Sequence, residues 1–129
     1  MPLVRITLAE GRSAAERRAI AESVHQALVE SANVPVDDRF QVVEQVPSSD
    51  LFFDASYLGI TRTKELVFVQ IVLNARRSVE VKKALYAAIA RRLHERPGLR
   101  PEDVLVSLVE VPRENWSFGN GLMSYPPAP

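Results

Sequence analysis

Residues 66–73 read Leu-Val-Phe-Val-Gln-Ile-Val-Leu, a nearly continuous apolar run. A run of this length and composition predicts a β-strand that is covered on both faces. An offset of 65 residues carries it onto residues 1–8, and further pairs share that offset: Arg12 with Arg77, Ser13 with Ser78, Asp38 with Asp103, and Pro47 with Pro112. The chain is therefore a gapless internal duplication, and the repeated unit determines its architecture.

Each half of the chain follows the order strand, helix, strand. Alternating and β-branched apolar residues predict strands at 3–8, 40–46, 66–73 and 104–111. Ser13 and Glu16 form a capping-box pattern before the first helix, and Ser78 begins the second. The predicted buried stripes consist of Ile20, Val24, Ala27, Leu28 and Ala32 in the first helix and of Val81, Ala84, Leu85, Ala88, Ile89 and Leu93 in the second.

We divide this single domain into βαβ units at 1–47 and 66–112, a packed connection at 48–65 and a C-terminal flap at 113–129. A βαβ crossover is right-handed in nearly all cases and makes its two strands parallel. Two such units predict an α+β, two-layer fold in which a four-stranded sheet carries both helices on one face. Because the opposite face keeps apolar residues, we expect it to pack against further copies of the chain.

Composition narrows the function. The 129 residues suffice for one domain with a core. Sixteen basic and sixteen acidic residues give a formal net charge of zero, which provides no bulk attraction to nucleic acid or to an anionic membrane. The chain has no cysteine, no uncharged run long enough to cross a bilayer and no signal-peptide pattern. A cytoplasmic protein without thiol chemistry is the expectation.

A proline follows the first methionine. Removal of Met1 would turn the Pro2 nitrogen into a secondary amine, and an α-amino group titrates at roughly 7.7–8.0. Burial beside a strand favours its neutral form, a general base that requires no cysteine, histidine or metal. The alternative is a Met-Pro start without function. The repeat favours the first interpretation, because Pro2 matches Val67 inside the equivalent strand.

Two charged pairs stand near strand ends. Arg76 and Arg77 follow the third strand, and substrates of open α/β sheets commonly bind beyond such carboxyl ends. An arginine fork there can hold a carboxylate through two parallel hydrogen bonds; the alternative is a solvent-facing pair. Asp37 and Asp38 precede the second strand, where either one caps a turn, pairs with Arg39, or meets a base or water in space.

Other functional signatures are absent from the sequence: there is no phosphate-binding glycine loop, no metal-ligand cluster and no nucleophile triad. We expect both histidines, His25 and His94, to face solvent. Residues 115–121 combine two aromatic side chains with two glycines. That composition suits a hairpin or flap over a site, or a clasp that fills a gap in an oligomer.

A set of short motifs along the chain is specific in combination. It comprises the Pro2 start, the gapless βαβ duplication, Val34-Pro35, Asp38-Arg39-Phe40-Gln41-Val42-Val43, Leu58-Gly59-Ile60 with Arg62-Thr63, Arg77-Ser78 and Trp116-Ser117-Phe118-Gly119. Together these motifs resemble the tautomerase superfamily over essentially the whole chain. Within that superfamily the chain looks most like the malonate semialdehyde decarboxylase group.

The resemblance implies a homotrimer whose sheets face an inner barrel, a small carboxylate substrate, and no metal or organic cofactor. It also implies that Pro2, freed of Met1, is the catalytic amine, and that Asp38 is the active-site aspartate. Arg77 matches the arginine that holds the substrate carboxylate, and Arg76 stands beside it. The pocket walls match Trp116 and Phe118.

One position departs from the decarboxylase pattern. That pattern reads Arg-Pro-Arg after the third strand, whereas this chain has Ala75-Arg76-Arg77. The first prediction is therefore an enol–keto tautomerase of a 2-oxo acid such as phenylpyruvate, with Pro2 as general base. A decarboxylase or hydratase is the alternative, with protonated Pro2 as general acid and Asp38 activating water. A trimeric binding protein without turnover is a further alternative.

Overall fold

The computed structural model describes residues 1–129 and contains four strands and two helices. Their bounds are β1 Leu3–Ala9, α1 Ala14–Ser31, β2 Phe40–Val46, β3 Val67–Asn74, α2 Val79–Glu95 and β4 Val104–Val111. These elements agree with the predicted strands and helices to within one residue at the strand ends. Neither helix has the length and apolar character that a membrane crossing requires.

The four strands form one mixed sheet in the order β2-β1-β3-β4. Each βαβ unit contributes a parallel pair, β1 with β2 and β3 with β4, and the two units meet where β1 runs antiparallel to β3. The central register pairs Leu3 with Val72 and Thr7 with Phe68. Because Phe68 and Val72 are the repeat equivalents of Leu3 and Thr7, the halves are related by a local twofold axis. The predicted fold class is confirmed.

Both helices begin where the sequence predicts. The hydroxyl of Ser13 accepts a hydrogen bond from the backbone N–H of Glu16, and the Glu16 carboxylate accepts one from the backbone of Ser13, which completes the capping box. At α2 the Ser78 hydroxyl accepts from the N–H of Val81. Caps of this kind stabilise a helix by about 1 kcal/mol. They also fix the turns that join β1 and β3 to their helices.

The core lies between the sheet and the two helices. It contains the predicted stripe of α1 in full, and from α2 it contains Leu85, Ala88, Ile89 and Leu93. Ala84 is exposed and Val81 is half-buried, so the predicted stripe of α2 was too wide. Ala84 lies about 100° around the helix from Leu85, which turns it away from the sheet.

The two histidines differ from each other. His94 is exposed, as expected. The prediction that His25 faces solvent was wrong, because its side chain is 3% exposed and its imidazole meets the carbonyl oxygen of Val36 at 2.8 Å. A polar group can be buried at this position because that hydrogen bond satisfies it.

The other face of the sheet is open in the single chain. In β3 only alternate residues are buried, namely Val67, Val69, Ile71 and Leu73, while Gln70 is exposed. The prediction that this strand is covered on both faces therefore does not hold within one chain. Large apolar side chains are also exposed on the other strands: Leu3, Phe40, Val42, Leu105 and Val109. A patch of this kind is typical of a surface that packs against another chain.

Candidate active site

The strand register brings four separate segments to one edge of the sheet. Because β1 and β3 are antiparallel, the chain start lies beside the end of β3, with Leu3 opposite Val72. The parallel partner of Leu3 in β2 is Phe40, so the residues just before Phe40 reach the same edge. At the end of β4, Val111 pairs with Asn74. The start of β1, the approach to β2, the end of β3 and the flap at 113–129 therefore meet there.

An amine and a carboxylate are in contact at this edge. The N-terminal nitrogen of Met1 lies 2.8 Å from Oδ2 of Asp38, and the Asp38 side chain is 10% exposed. No other donor of the chain makes a hydrogen bond to that oxygen. Pro2, next in the chain, is buried. Since Met1 precedes it, the Pro2 nitrogen is an amide, and the amine that faces Asp38 belongs to Met1.

Tyr125 closes the other side of Met1. Its phenol donates a hydrogen bond to Sδ of Met1 at 2.6 Å. Burial raises the pKa of Tyr125, and the negative charge of Asp38 adds to the increase, while the positive charge of Arg113 opposes it. The guanidinium carbon of Arg113 lies 4.8 Å from the centre of the Tyr125 ring. The phenol is therefore a neutral O–H donor at neutral pH.

Aromatic rings form one wall of the site, with Phe118 at its centre. The Phe118 ring centroid lies 5.3 Å from that of Trp116, which is stacked on it, 5.4 Å from that of Phe40 and 6.0 Å from that of Tyr125. The indole N–H of Trp116 donates to Oδ1 of Asn74 at 2.7 Å, which ties the wall to β3. Through Tyr125, which contacts Met1, these rings form an apolar wall on the flap side of the chain start.

The C-terminal flap, residues 113–129, reaches the site without forming a strand. It begins with a short 3-10 turn at Arg113–Asn115 and then doubles back. The N–H of Ser124 donates to the carbonyl of Trp116, and the Ser124 hydroxyl accepts from the N–H of Phe118. The hairpin form of the prediction is therefore absent, and an irregular turn presents the aromatic residues.

The two arginines after β3 have different surroundings. Arg77 is partly buried, and its guanidinium donates to the carbonyls of Asn74 at 3.0 Å and Ala32 at 3.1 Å. Burial lowers the pKa of Arg77, and the negative charge of Glu110 partly offsets that effect. An arginine keeps its charge even so, and it has further N–H donors for a ligand.

Arg76 is exposed and has a positive φ of 87°, which is uncommon for a residue with a side chain. The turn is held by the Glu110 carboxylate, which accepts from the Arg76 N–H at 3.1 Å. Arg76 and Arg113 both border a surface depression of about 420 Å³ beside the flap. The exposed Arg76 therefore borders a depression beside the flap and makes no contact with the amine.

The repeat places an equivalent set of residues at the opposite edge of the sheet, and the two sets have different partners. Asp103, the equivalent of Asp38, is fully buried and accepts 2.7 Å hydrogen bonds from the N–H and the hydroxyl of Thr63. Arg12, the equivalent of Arg77, is paired with Glu16 and Glu65. The polar groups at that edge are thus bonded within the chain, whereas Asp38 has only the terminal amine as partner.

Most of the predicted site residues lie at the same edge. Asp38 contacts the chain start, which continues into Pro2. Phe118 packs on Tyr125 and Trp116 bonds Asn74, while Arg76 and Arg77 lie on the turn after β3. Sequence reasoning missed Tyr125 and Phe40. Tyr125 lies beyond the recognised motifs in a proline-rich tail, and its only signal is that it is the one ionisable aromatic residue there. No group of three or more His, Cys, Asp or Glu side chains is arranged to bind a metal ion.

Comparisons with known proteins agree with this geometry. A family model described as "Tautomerase enzyme" matches residues 38–119, and a second tautomerase model matches residues 2–59. The probable tautomerase YusQ of Bacillus subtilis (strain 168) is 45% identical over 94% of this chain and 95% of its own length.

Two solved structures are also similar. FG41 malonate semialdehyde decarboxylase inhibited by 3-bromopropiolate has 37% identity and a TM-score of 0.90, with 95% of this chain and 93% of that chain covered. A second malonate semialdehyde decarboxylase has 31% identity and a TM-score of 0.88, with 94% and 93% covered. The family-model match over residues 38–119 spans Asp38, Arg76, Arg77, Trp116 and Phe118. The chain therefore belongs to the tautomerase superfamily of enzymes.

Proposed function

We propose that this protein is a cofactor-independent enol–keto tautomerase of a small, phenylpyruvate-like 2-oxo acid, and that Pro2 becomes its general base once Met1 is removed. The observation that carries the proposal is the contact between the terminal amine and Asp38 under a wall of aromatic rings. Removal of Met1 would turn the Pro2 nitrogen, next in the chain, into a free secondary amine at the start of β1. It would also free the space that the Met1 side chain fills beneath Tyr125.

The proposed reaction moves one proton from oxygen to carbon. The neutral Pro2 amine takes the hydroxyl proton of the enol, and the resulting ammonium gives a proton to C3, which yields the keto acid. The two reacting atoms are separated by a single carbon, so one amine can serve both. The Tyr125 phenol is an O–H donor for the C2 oxygen, and removal of water by the aromatic wall strengthens these interactions.

Binding of the substrate carboxylate falls to the arginines. In the proposal Arg77 holds it with the N–H groups that the Asn74 and Ala32 carbonyls leave free, and Arg76 attracts it at the entrance. Phe118 and Trp116 then pack against the apolar part of the substrate. A substrate with one carboxylate and an aromatic or short aliphatic side chain fits this division of the site.

A second candidate function has a specific observation in its favour. A carboxylate 2.8 Å from an amine favours the ammonium form of that amine. A protonated Pro2 would act as a general acid, with Asp38 activating water, in a malonate semialdehyde decarboxylase or hydratase reaction. The similarity to two malonate semialdehyde decarboxylases supports this candidate, whereas Ala75 removes one arginine of the pattern described above.

The proposal includes a homotrimer. The open face of the sheet carries Leu3, Phe40, Val42, Leu105 and Val109 exposed, and fused 4-OT proteins of the same fold are described as trimers. Three copies would cover these faces around a common axis. The trimer is part of the proposal because the active site lies at the margin of that face.

The test begins with mass spectrometry of the purified chain, which measures the fraction that has lost Met1. The processed wild type and Pro2→Ala are then assayed with phenylpyruvate enol and with malonate semialdehyde. We expect turnover of the enol and a loss of roughly 10²-fold or more in Pro2→Ala. Turnover of malonate semialdehyde alone would favour the second candidate. Equal rates in both proteins would reject the catalytic proline, and no turnover of either compound would favour a binding protein.

A further inference from the structure

The carboxylate of Asp38 is carried by an exposed turn. Residues Pro35, Val36 and Asp37 are all exposed, and the turn is closed by a hydrogen bond of 3.1 Å from the N–H of Asp38 to the carbonyl of Pro35. A short exposed turn is more mobile than the elements that it connects. The contact of Asp38 with the terminal amine therefore requires something that holds the turn against the body of the protein.

Helix α1 supplies that attachment on the downstream side through the segment that begins β2. The Arg39 guanidinium pairs with Glu22 at 2.6 Å, and the Gln41 side chain donates to the carbonyl of Ala21 at 2.9 Å. Arg39 and Glu22 are both about 40% exposed at their side chains, so their ion pair is worth little. Neither contact reaches the residues that precede Asp38.

Upstream of Asp38, one side chain fastens the turn. Nε2 of His25 lies 2.8 Å from the carbonyl oxygen of Val36, and no other side chain forms a hydrogen bond with the backbone between Val34 and Asp38. A carbonyl can only accept, so Nε2 carries the proton in this contact. His25 is 3% exposed, and its neighbours on the same helix, Val24 and Leu28, are fully buried. The imidazole is therefore a buried, directional anchor for the turn.

We propose that His25 is a positioning residue of the active site: by holding the Val36 carbonyl, it keeps the Asp38 carboxylate in contact with the N-terminal amine. The hydrogen bond of His25 goes to the Val36 carbonyl and not to the amine, so His25 acts through the turn. The inference rests on the proposed function, because it takes the amine freed by loss of Met1 as the reacting group. The bond is made by an N–H that neutral and protonated imidazole share, so it is not a pH switch.

Ionisable groups lie near the terminal amine and near the His25–Val36 hydrogen bond. Asp38 and Tyr125 face the amine, and Arg113 lies over the Tyr125 ring. Near His25, the charged groups closest in the chain are Glu22, one turn earlier on α1, and Asp37 and Arg39 next to the turn. Substitution of His25 leaves all of these in the chain. A change in the titration of the amine would then report a change in the position of Asp38.

The experiment uses the processed full chain, labelled at proline, and measures the pKa of the Pro2 amine by NMR together with kcat and KM on the turned-over substrate. His25→Leu removes the donor and keeps an apolar group of similar bulk. His25→Gln restores an N–H at the reach of Nε2, and Asp38→Asn gives the effect of losing the carboxylate charge. The matched control is His94→Leu, because His94 also meets a backbone carbonyl, that of Leu99, away from the site.

For His25→Leu we expect a lower pKa of the Pro2 amine, shifted in the same direction as in Asp38→Asn but by less. We also expect kcat to fall about tenfold with little change in KM. A misplacement of 1 Å can cost roughly 10²-fold in rate, and the turn keeps part of its position. His25→Gln should return to within about threefold of wild type, and His94→Leu should match it. If His25→Leu does not fold, His25→Asn, whose amide is one bond shorter, should show the loss that His25→Gln does not.

Two results would overturn the inference: an unchanged amine pKa and kcat in a folded His25 variant without the donor, or a His25→Gln chain as impaired as His25→Leu. Failure of the proposed function looks different. In that case the processed wild type turns over neither compound, while the amine pKa still shifts in His25→Leu and recovers in His25→Gln.

Discussion

Asp38 and Asp103 are 65 residues apart and occupy the same place in the two halves of the chain, yet their partners differ. Asp38 faces the terminal amine at 2.8 Å, and Asp103 is enclosed by donors from Thr63 and Arg100. A buried carboxylate that is fully bonded within the chain stabilises the fold, whereas one that meets only an amine is available to a ligand. The duplication thus contains one edge whose carboxylate is fully bonded within the chain and one edge whose carboxylate meets only the terminal amine.

The first prediction follows from that contrast. Asp38→Asn in the processed chain should lower kcat/KM by roughly 10²-fold and change the free energy of unfolding by less than about 1 kcal/mol. Asp103→Asn should lower the free energy of unfolding by about 1–3 kcal/mol and leave kcat/KM nearly unchanged. The reason is that the new amide N–H₂ would face the donors of Thr63, which need an acceptor. Urea denaturation and steady-state kinetics on both variants measure this. Equal effects of the two substitutions would contradict it.

The second prediction concerns Tyr125. Because the folded chain raises its pKa, the stability that it contributes is fully present below the unfolded pKa of roughly 10. That stability is lost as the pH rises through the folded pKa. The difference in Tm between wild type and Tyr125→Phe should therefore shrink as the pH rises above about 10. Thermal unfolding of both proteins between about pH 8 and 11 measures this difference. A Tm difference that grows with pH would mean that folding lowers the pKa of Tyr125 and would contradict the prediction.

The third prediction separates the two arginines. Arg77→Ala removes bonds to the Asn74 and Ala32 carbonyls, so it should lower the free energy of unfolding by about 1–3 kcal/mol as well as activity. Arg76→Ala should raise KM about tenfold, the effect of losing one charged contact, without a change in Tm. Denaturation and kinetics at two salt concentrations distinguish the roles. A fall in stability for Arg76→Ala would argue against a position at the entrance.

The fourth prediction tests the trimer. Val42→Lys places a charge on the open face of the sheet, and it should convert the proposed trimer to smaller species in light scattering. Val79→Lys is the matched control, since Val79 is also exposed but lies at the start of α2. An unchanged mass for Val42→Lys would place the interface elsewhere.

The sequence predicted most of the fold because the fold is repeated. Local patterns alone predicted the observed bounds of strand β2 and the capping box that Ser13 forms with Glu16. Two further properties depend on tertiary packing. The antiparallel pairing of β1 with β3, which brings the chain start to the end of β3, leaves no local signal. Whether the second face of the sheet is covered depends on association between chains, which the local patterns of one sequence do not describe.

The site was predicted less completely, for physical reasons. Periodicity indicates which face of a helix is buried, but it does not reveal that the buried His25 forms a hydrogen bond with the backbone carbonyl of Val36. Tyr125 contacts a residue 124 positions away, within a tail that has neither strand nor helix period. The direction of the Arg77 side chain, towards the Ala32 carbonyl, is likewise set by packing and not by spacing.

Met1 lies between Asp38, which its amine contacts, and Tyr125, which its sulfur contacts. The proposed function assigns this space to the substrate. A chain that retains this methionine carries its own competitor at full occupancy. A preparation in which only some chains have lost Met1 would behave as a partly blocked enzyme. In a titration with a tight inhibitor, the end-point would give the concentration of chains without Met1 rather than the total protein concentration. Specific activity measured per milligram would then vary between preparations in proportion to the processed fraction.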